Sequence, residues 1–221
     1  MAFTTTTIID GLAAAILLTT FIAIASNRMF SLVRLFALQS VALGLLAMAV
    51  ASVTGAAHIY AVAVLTLGIK GAVIPWMLLY VMEKIKTTKE VEPLVSIPLS
   101  LLLCGVLTAV AFYITEPIIF TSRTITTITK NCLAISLAVV LIGFYTMIAR
   151  KKAVTQIMGL LTMENGLFLA AISVTYGMPM IVELGIFFDI LVAVLIMGLF
   201  AFRINKTFDS VDTTILRRLH D

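Results

Sequence analysis

Charge is scarce in this sequence. Only 12% of its 221 residues are Asp, Glu, Lys or Arg, against 62% hydrophobic. A soluble domain carries about twice that charged share, so a water-facing globular fold is excluded and membrane spans become the unit to count. Cysteine and histidine are nearly missing as well. Cys104 and Cys132 stand in separate apolar runs, without CxxC spacing or a neighbouring His, which fits packing residues rather than a metal site or a disulfide. His58 and His220 fall at an interface and in the tail, off span depth, and read as solvated. There is no GxSxG, no HExxH and no glycine-rich phosphate loop, so an intramembrane enzyme has no motif to stand on. Strict polar/apolar alternation over ten-residue stretches is also missing, which excludes a transmembrane β-barrel. The formal charge of +4 marks no nucleic-acid partner, because the basic residues occur in short clusters between apolar runs. The N-terminus, MAFTTTTIID, lacks the basic region of a cleavable signal, and the first apolar run is expected to be a retained anchor.

What the chain does have is a succession of apolar runs, each near the length that crosses a bilayer. They predict an all-α, polytopic membrane protein with seven transmembrane helices, at 8–26, 31–54, 58–82, 94–115, 130–149, 154–175 and 181–203. Twelve basic residues fall on alternate connections and the tail: Arg28, Arg34, Lys84, Lys86, Lys89, Arg150, Lys151, Lys152, Arg203, Lys206, Arg217 and Arg218. Only Arg123 and Lys130 fall on the other side. The positive-inside rule then places the N-terminus outside and the C-terminus in the cytoplasm. In the second span the small residues Ser40, Gly44, Ala47, Ala51 and Gly55 recur at a spacing that lets helix backbones approach closely.

Against this apolar background a few polar residues stand out. Glu164 and Asp189 each interrupt a span near its middle, where a charge costs at least about 2.5–3.5 kcal/mol and therefore faces protein or water. At ~1.5 Å per residue, Glu164 lies roughly 16 Å in from Ala153, and Asp189 about 12 Å from Ile181 on the opposite side. Both are then close to the midplane. Lys70 lies more than halfway in from the outer start of its span near Ile59, too deep to snorkel comfortably. Pro75, five residues on, removes a helical N–H and displaces the carbonyl of Gly71, a break that neighbours or waters must satisfy. Trp76 beside it reads as packing. Two accounts of the ionisable set stand side by side: a hydrated relay that exchanges protons, and a buried ion pair that fixes helix packing, for example Lys70 with Asp189. Gln39 cannot titrate but can both donate and accept, which suits it to ordering water. Asn165 is positioned to bond the neighbouring carboxylate or a water, and Glu183 lies near the outer boundary, where a helix-start charge also explains it.

The chain divides into a three-helix N-terminal half with Gln39 and Lys70 (1–90), two connecting helices (91–150), and a C-terminal helix pair with Glu164 and Asp189 plus a short tail (151–221). RLFALQSVALGLLA at 34–47 aligns thinly with GLLTMENGLFLAAI at 159–172, setting Gln39 against Glu164, and the next span in each half carries a central ionisable residue. Both pairs run the same way across the membrane, so the relation is a parallel duplication. Spans four and five carry no buried charge and receive no functional reading.

TMENGLFLAA, VELGIFFDILVAVLIM and the tail TFDSVDTTILRRL together resemble the membrane component E of hydrogenase-4-type complexes, including formate hydrogenlyases, and IKGAVIP with Lys70 and Pro75 fits the same pattern. The C-terminal half is similar to the K component of respiratory NADH-quinone oxidoreductase and to the small C component of multi-subunit Na+/H+ antiporters. The resemblance is strongest over 154–221, weaker over 30–85 and faint over 94–150. It implies a non-catalytic subunit in a prokaryotic cytoplasmic membrane. Its expected partners are antiporter-like subunits, a membrane anchor subunit and soluble hydrogenase subunits, and NiFe and iron–sulfur clusters would sit on those partners, with no cofactor on this chain. By position it assigns the two relay carboxylates to Glu164 and Asp189. The alternative is a free-standing small transporter built on the same carboxylate pair, although no broken helix frames a substrate-sized cavity.

Overall fold

A computed structural model of the chain describes residues 2–55, 57–84, 94–121 and 130–175. Within them run α1 (Ala2–Ala25), α2 (Met29–Thr54), α3 (Ala57–Gly68), α4 (Ile74–Lys84), α5 (Ile97–Thr121), α6 (Lys130–Ala149) and α7 (Ala153–Thr175). A five-residue π-helical turn, Ile69–Val73, joins α3 to α4. Among the described residues this gives six helices long and apolar enough to cross a bilayer, α3 and α4 together making one of them. The protein is an all-helical, multi-pass membrane protein. The seventh expected span, 181–203, lies outside the described residues.

Lipid offers no hydrogen bonds, so every backbone group in a span must be satisfied within it, and apolar runs of this length fold as helices. Gly55 ends α2 with φ 68°, a left-handed conformation that glycine adopts without strain, and returns its N–H to the Ala51 carbonyl. α5 continues through Pro117 to Thr121, past the boundary expected at 115. A proline interrupts only its local bonding, and a helix in a membrane tolerates that.

The ends alternate as spans should. Arg150 Nη2 donates to the Ile24 carbonyl at 2.8 Å, and the Leu94 N–H donates to the Ala149 carbonyl at 2.9 Å. The α1–α2 connection, the approach to α5 and the α6–α7 connection thus meet on one face, which also carries Arg28, Arg34, Lys151 and Lys152. At the opposite end Asn131 Nδ2 donates to Asp10 Oδ2 at 3.3 Å, tying the start of α6 to α1.

α6 and α7 form the tightest pair. A Cβ on Gly143 would stand 2.7 Å from the Met163 backbone nitrogen, one on Gly166 2.8 Å from that of Val140, and one on Gly159 2.9 Å from that of Met147. Only glycine permits this approach, and it seats α7 directly against α6. The small residues of α2 divide their work. Gly44 admits the Leu67 side chain of α3, while Ser40, Ala47 and Ala51 are fully buried.

The apolar core is split by level. One cluster, including Ile16, Leu43, Ala63, Val139 and Phe168, lies toward the end away from the basic face; another, including Phe36, Ile74, Leu78, Met158 and Leu161, lies toward the basic face. Between them four spans place buried polar residues at one level: Thr19 and Thr20, Gln39 and Ser40, Thr66 and Lys70, Glu164 and Asn165.

Candidate functional site

Within that layer, Lys70 Nζ lies 2.6 Å from Glu164 Oε1, with side chains only 4% and 6% exposed. The ammonium also sits 5.8 Å from the centre of the Phe168 ring, whose face attracts a cation. Sequence reasoning put both charges deep and left open what Lys70 would meet; the example offered was Asp189. The structure pairs Lys70 with Glu164. Asp189 and Glu183 lie outside the described residues.

The π-helical turn is what aims Lys70. Pro75 has no N–H for the Gly71 carbonyl, and its ring would crowd that carbonyl in a regular helix. The chain widens just before it, and the Ile74 N–H reaches back five residues to the Ile69 carbonyl. The break expected at IKGAVIP therefore takes the form of a π-helical turn that contains the lysine. Such turns recur where a helix serves a site.

Gln39 and Asn165 belong to a second, adjoining set. Gln39 Nε2 donates to Thr20 Oγ1 at 2.8 Å; Asn165 Nδ2 donates to Gln39 Oε1 at 3.1 Å and to Ser40 Oγ at 3.3 Å. Asn165, expected to bond the neighbouring carboxylate or a water, directs its amide N–H groups to Gln39 and Ser40 instead of the carboxylate. Successive helical residues point about 100° apart, so Asn165 faces α2 while Glu164 faces the lysine. Two buried acceptors, Glu164 Oε2 and Asn165 Oδ1, have no partner among the described residues. Buried polar atoms are nearly always bonded, so each is an acceptor left open among the described residues.

Sequence reasoning missed Thr19, Thr20 and Arg150. Threonines bond their own helix and pass as ordinary span residues, and Arg150 opens an Arg-Lys-Lys cluster that reads as a topology signal. In the fold Arg150 is 4% exposed, and its Nη1 has no partner among the described residues. Burial lowers its pKa, but a guanidinium starts so high that it stays charged. It lines a cavity between α1, α2, α6 and α7 with Thr19, Thr20, Gln39, Thr146, Thr155 and Thr162. The space open to the centres of water-sized spheres there is about 20 Å³. All five threonine hydroxyls donate to backbone carbonyls three or four residues earlier, those of Ile16 (for both Thr19 and Thr20), Ile142, Lys152 and Met158, at 2.7–2.8 Å.

Cys104 and Cys132 are fully buried. Trp76, expected to pack, is instead 69% exposed and stacks on Tyr80 along the outer surface of α4.

The uncharacterized protein Rv0085 of Mycobacterium tuberculosis is 32% identical to this chain over 215 residues, which cover 97% of this chain and 96% of the relative. The chain belongs to this family. The hydrogenase-4 component E proteins of Escherichia coli and Shigella flexneri are 26% identical over 150 residues, 68% of each chain, a more distant similarity. No family model matches the chain, and no solved structure matches it.

Proposed function

We propose that this chain is a non-catalytic membrane-arm subunit of an energy-converting hydrogenase or a related respiratory complex, and that it carries part of a proton or Na+ relay near the membrane midplane. The observation that carries this reading is the buried Lys70–Glu164 pair with Glu164 Oε2 left unpartnered. Similarity to hydrogenase-4 component E supplies the class of complex.

The chemistry is that of a charge-balanced pair with one open acceptor. A proton arriving at Oε2 forms an O–H bond and takes the pair from net zero to +1, with Lys70 still charged. Passing that proton to the next carboxylate, for which Asp189 is the candidate, breaks the O–H bond and restores net zero. The Phe168 ring face helps to hold the ammonium beside the carboxylate, and lipid-depth packing keeps bulk water out. The polar set of Gln39, Asn165, Thr20 and Ser40 orders the approach from α2. Antiporter-like subunits, a membrane anchor and soluble subunits bearing the NiFe and iron–sulfur centres would complete the assembly in a prokaryotic cytoplasmic membrane.

The test is purification of the tagged chain from its native membrane in mild detergent, followed by mass spectrometry. Antiporter-like and hydrogenase-type subunits in stoichiometric amounts are expected. A lone homodimer that moves ions by itself would replace this reading with that of a small free-standing transporter.

A further inference from the structure

The relay account has no use for Arg150, and a packing account does not explain it fully. As a cap its Nη2 serves the α1 C-terminus through the Ile24 carbonyl, where a positive charge is favourable. Its Nη1 is buried without a partner among the described residues, and the residue lines the cavity. The cavity's threonines have a consistent sense. Because each threonine hydrogen is spent on a backbone carbonyl one turn earlier, the hydroxyls offer the cavity lone pairs. An anion would meet those lone pairs, and a cation would meet the guanidinium. A neutral molecule that both donates and accepts satisfies both, and about 20 Å³ for water centres holds roughly one or two waters at a time. Along α7 the lining runs from Thr155 to Thr162, roughly 10 Å of helix, and it ends at Gln39, which is bonded to Asn165 next to Glu164.

We propose that this cavity is a water passage from the basic face to the Gln39–Asn165 amides, and that Arg150 is the fixed charge that bars cations from it. A fixed charge in a narrow, low-dielectric channel repels ions of its own sign while admitting water. Taken with the relay reading, the passage hydrates the midplane without opening the relay to the aqueous phase on that face. The charge selectivity itself does not depend on the relay, and its test uses no turnover.

The full chain carries C104A and C132A, so that T20C is its one thiol at the inner end of the passage. In liposomes two water-sized thiol reagents are applied: hydrogen peroxide, which is neutral, and Ag+, which is a cation. Peroxide oxidises the thiol to the sulfenic acid: the S–H and O–O bonds break, the S–O bond forms, and the thiol proton leaves with hydroxide as water. Ag+ forms an S–Ag bond as the S–H bond breaks and releases its proton. With Arg150 present, peroxide is expected to react and Ag+ to be slow. Arg150→Gln should raise the Ag+ rate by about tenfold or more and leave the peroxide rate within about twofold. Arg150→Lys, which keeps the charge but loses the guanidinium fork, should remain slow to Ag+. Thr155→Asp keeps Arg150 and its bond to Ile24, adds an acid where a helix N-terminus favours one, and should raise Ag+ access as Arg150→Gln does. Ag+ rates unchanged in Arg150→Gln and Thr155→Asp would overturn the proposal. So would equal acceleration of both reagents, which would mean that the variants merely loosen packing. A passage that passes this test while Glu164→Gln leaves coupling intact would stand without the relay.

Discussion

Lys70 and Glu164, ninety-four positions apart in the chain, meet at 2.6 Å in a layer of buried polar side chains between two apolar clusters. Each is tolerable at that depth only because of the other.

The pair therefore behaves asymmetrically on mutation. Lys70→Met or Glu164→Met alone strands a buried charge and is expected to cost roughly 3–5 kcal/mol of stability. The double variant removes both charges and should lose less than either single one. Denaturant unfolding in micelles across the four-member cycle measures the coupling. Additive losses would mean that the two side chains do not support one another.

The amide set follows the same logic at lower stakes. Asn165→Leu leaves Gln39 Oε1 without its donor, and Gln39→Leu leaves Thr20 Oγ1 without its own. Each should cost roughly 1–3 kcal/mol, whereas changing both residues to Leu should recover part of the loss, since no unpaired amide remains between α2 and α7. The same unfolding measurement checks this.

Close approach of α6 and α7 predicts strong sensitivity at one set of glycines and none at another. Gly143→Val and Gly166→Val drive a side chain into backbone at 2.7–2.8 Å, must part the helices, and should lower the unfolding midpoint sharply. Gly105→Ala and Gly11→Ala meet nothing within 4 Å and should be neutral or mildly stabilising. Parallel thermal unfolding of the four variants separates the classes. Because Gly143 touches the backbone of Met163, next to Glu164, its variant should also impair coupling.

Much of this was legible in the chain. Long apolar runs marked the spans because lipid leaves the backbone no other partner, and the boundaries of α2, α6 and α7 fell within about two residues of those expected. Glu164 and Lys70 announced themselves because a charge at that depth needs a reason. Their pairing was not legible, since depth along a helix does not say which neighbour it turns toward. Gln39 and Asn165 were singled out, but their mutual bond depends on the rotation of α2 against α7. Arg150 was hidden by its own cluster. Three adjacent basic residues look alike in sequence, and only the packing of α1 against α6 buries the first of them. The fifth span of the sequence, α6, gave no sign of a task because its contribution is a backbone seam, formed where its one glycine, Gly143, and Gly159 and Gly166 of α7 lack side chains.

The most direct measurement is redox-driven proton translocation in inverted native membrane vesicles holding the assembled complex with Glu164→Gln, which keeps the shape of the side chain and removes the exchangeable proton site. The relay account predicts that the complex assembles and passes electrons while proton translocation per turnover falls to a small fraction of wild type. Wild-type translocation by the fully assembled variant would contradict it and leave the Lys70–Glu164 pair a packing element alone.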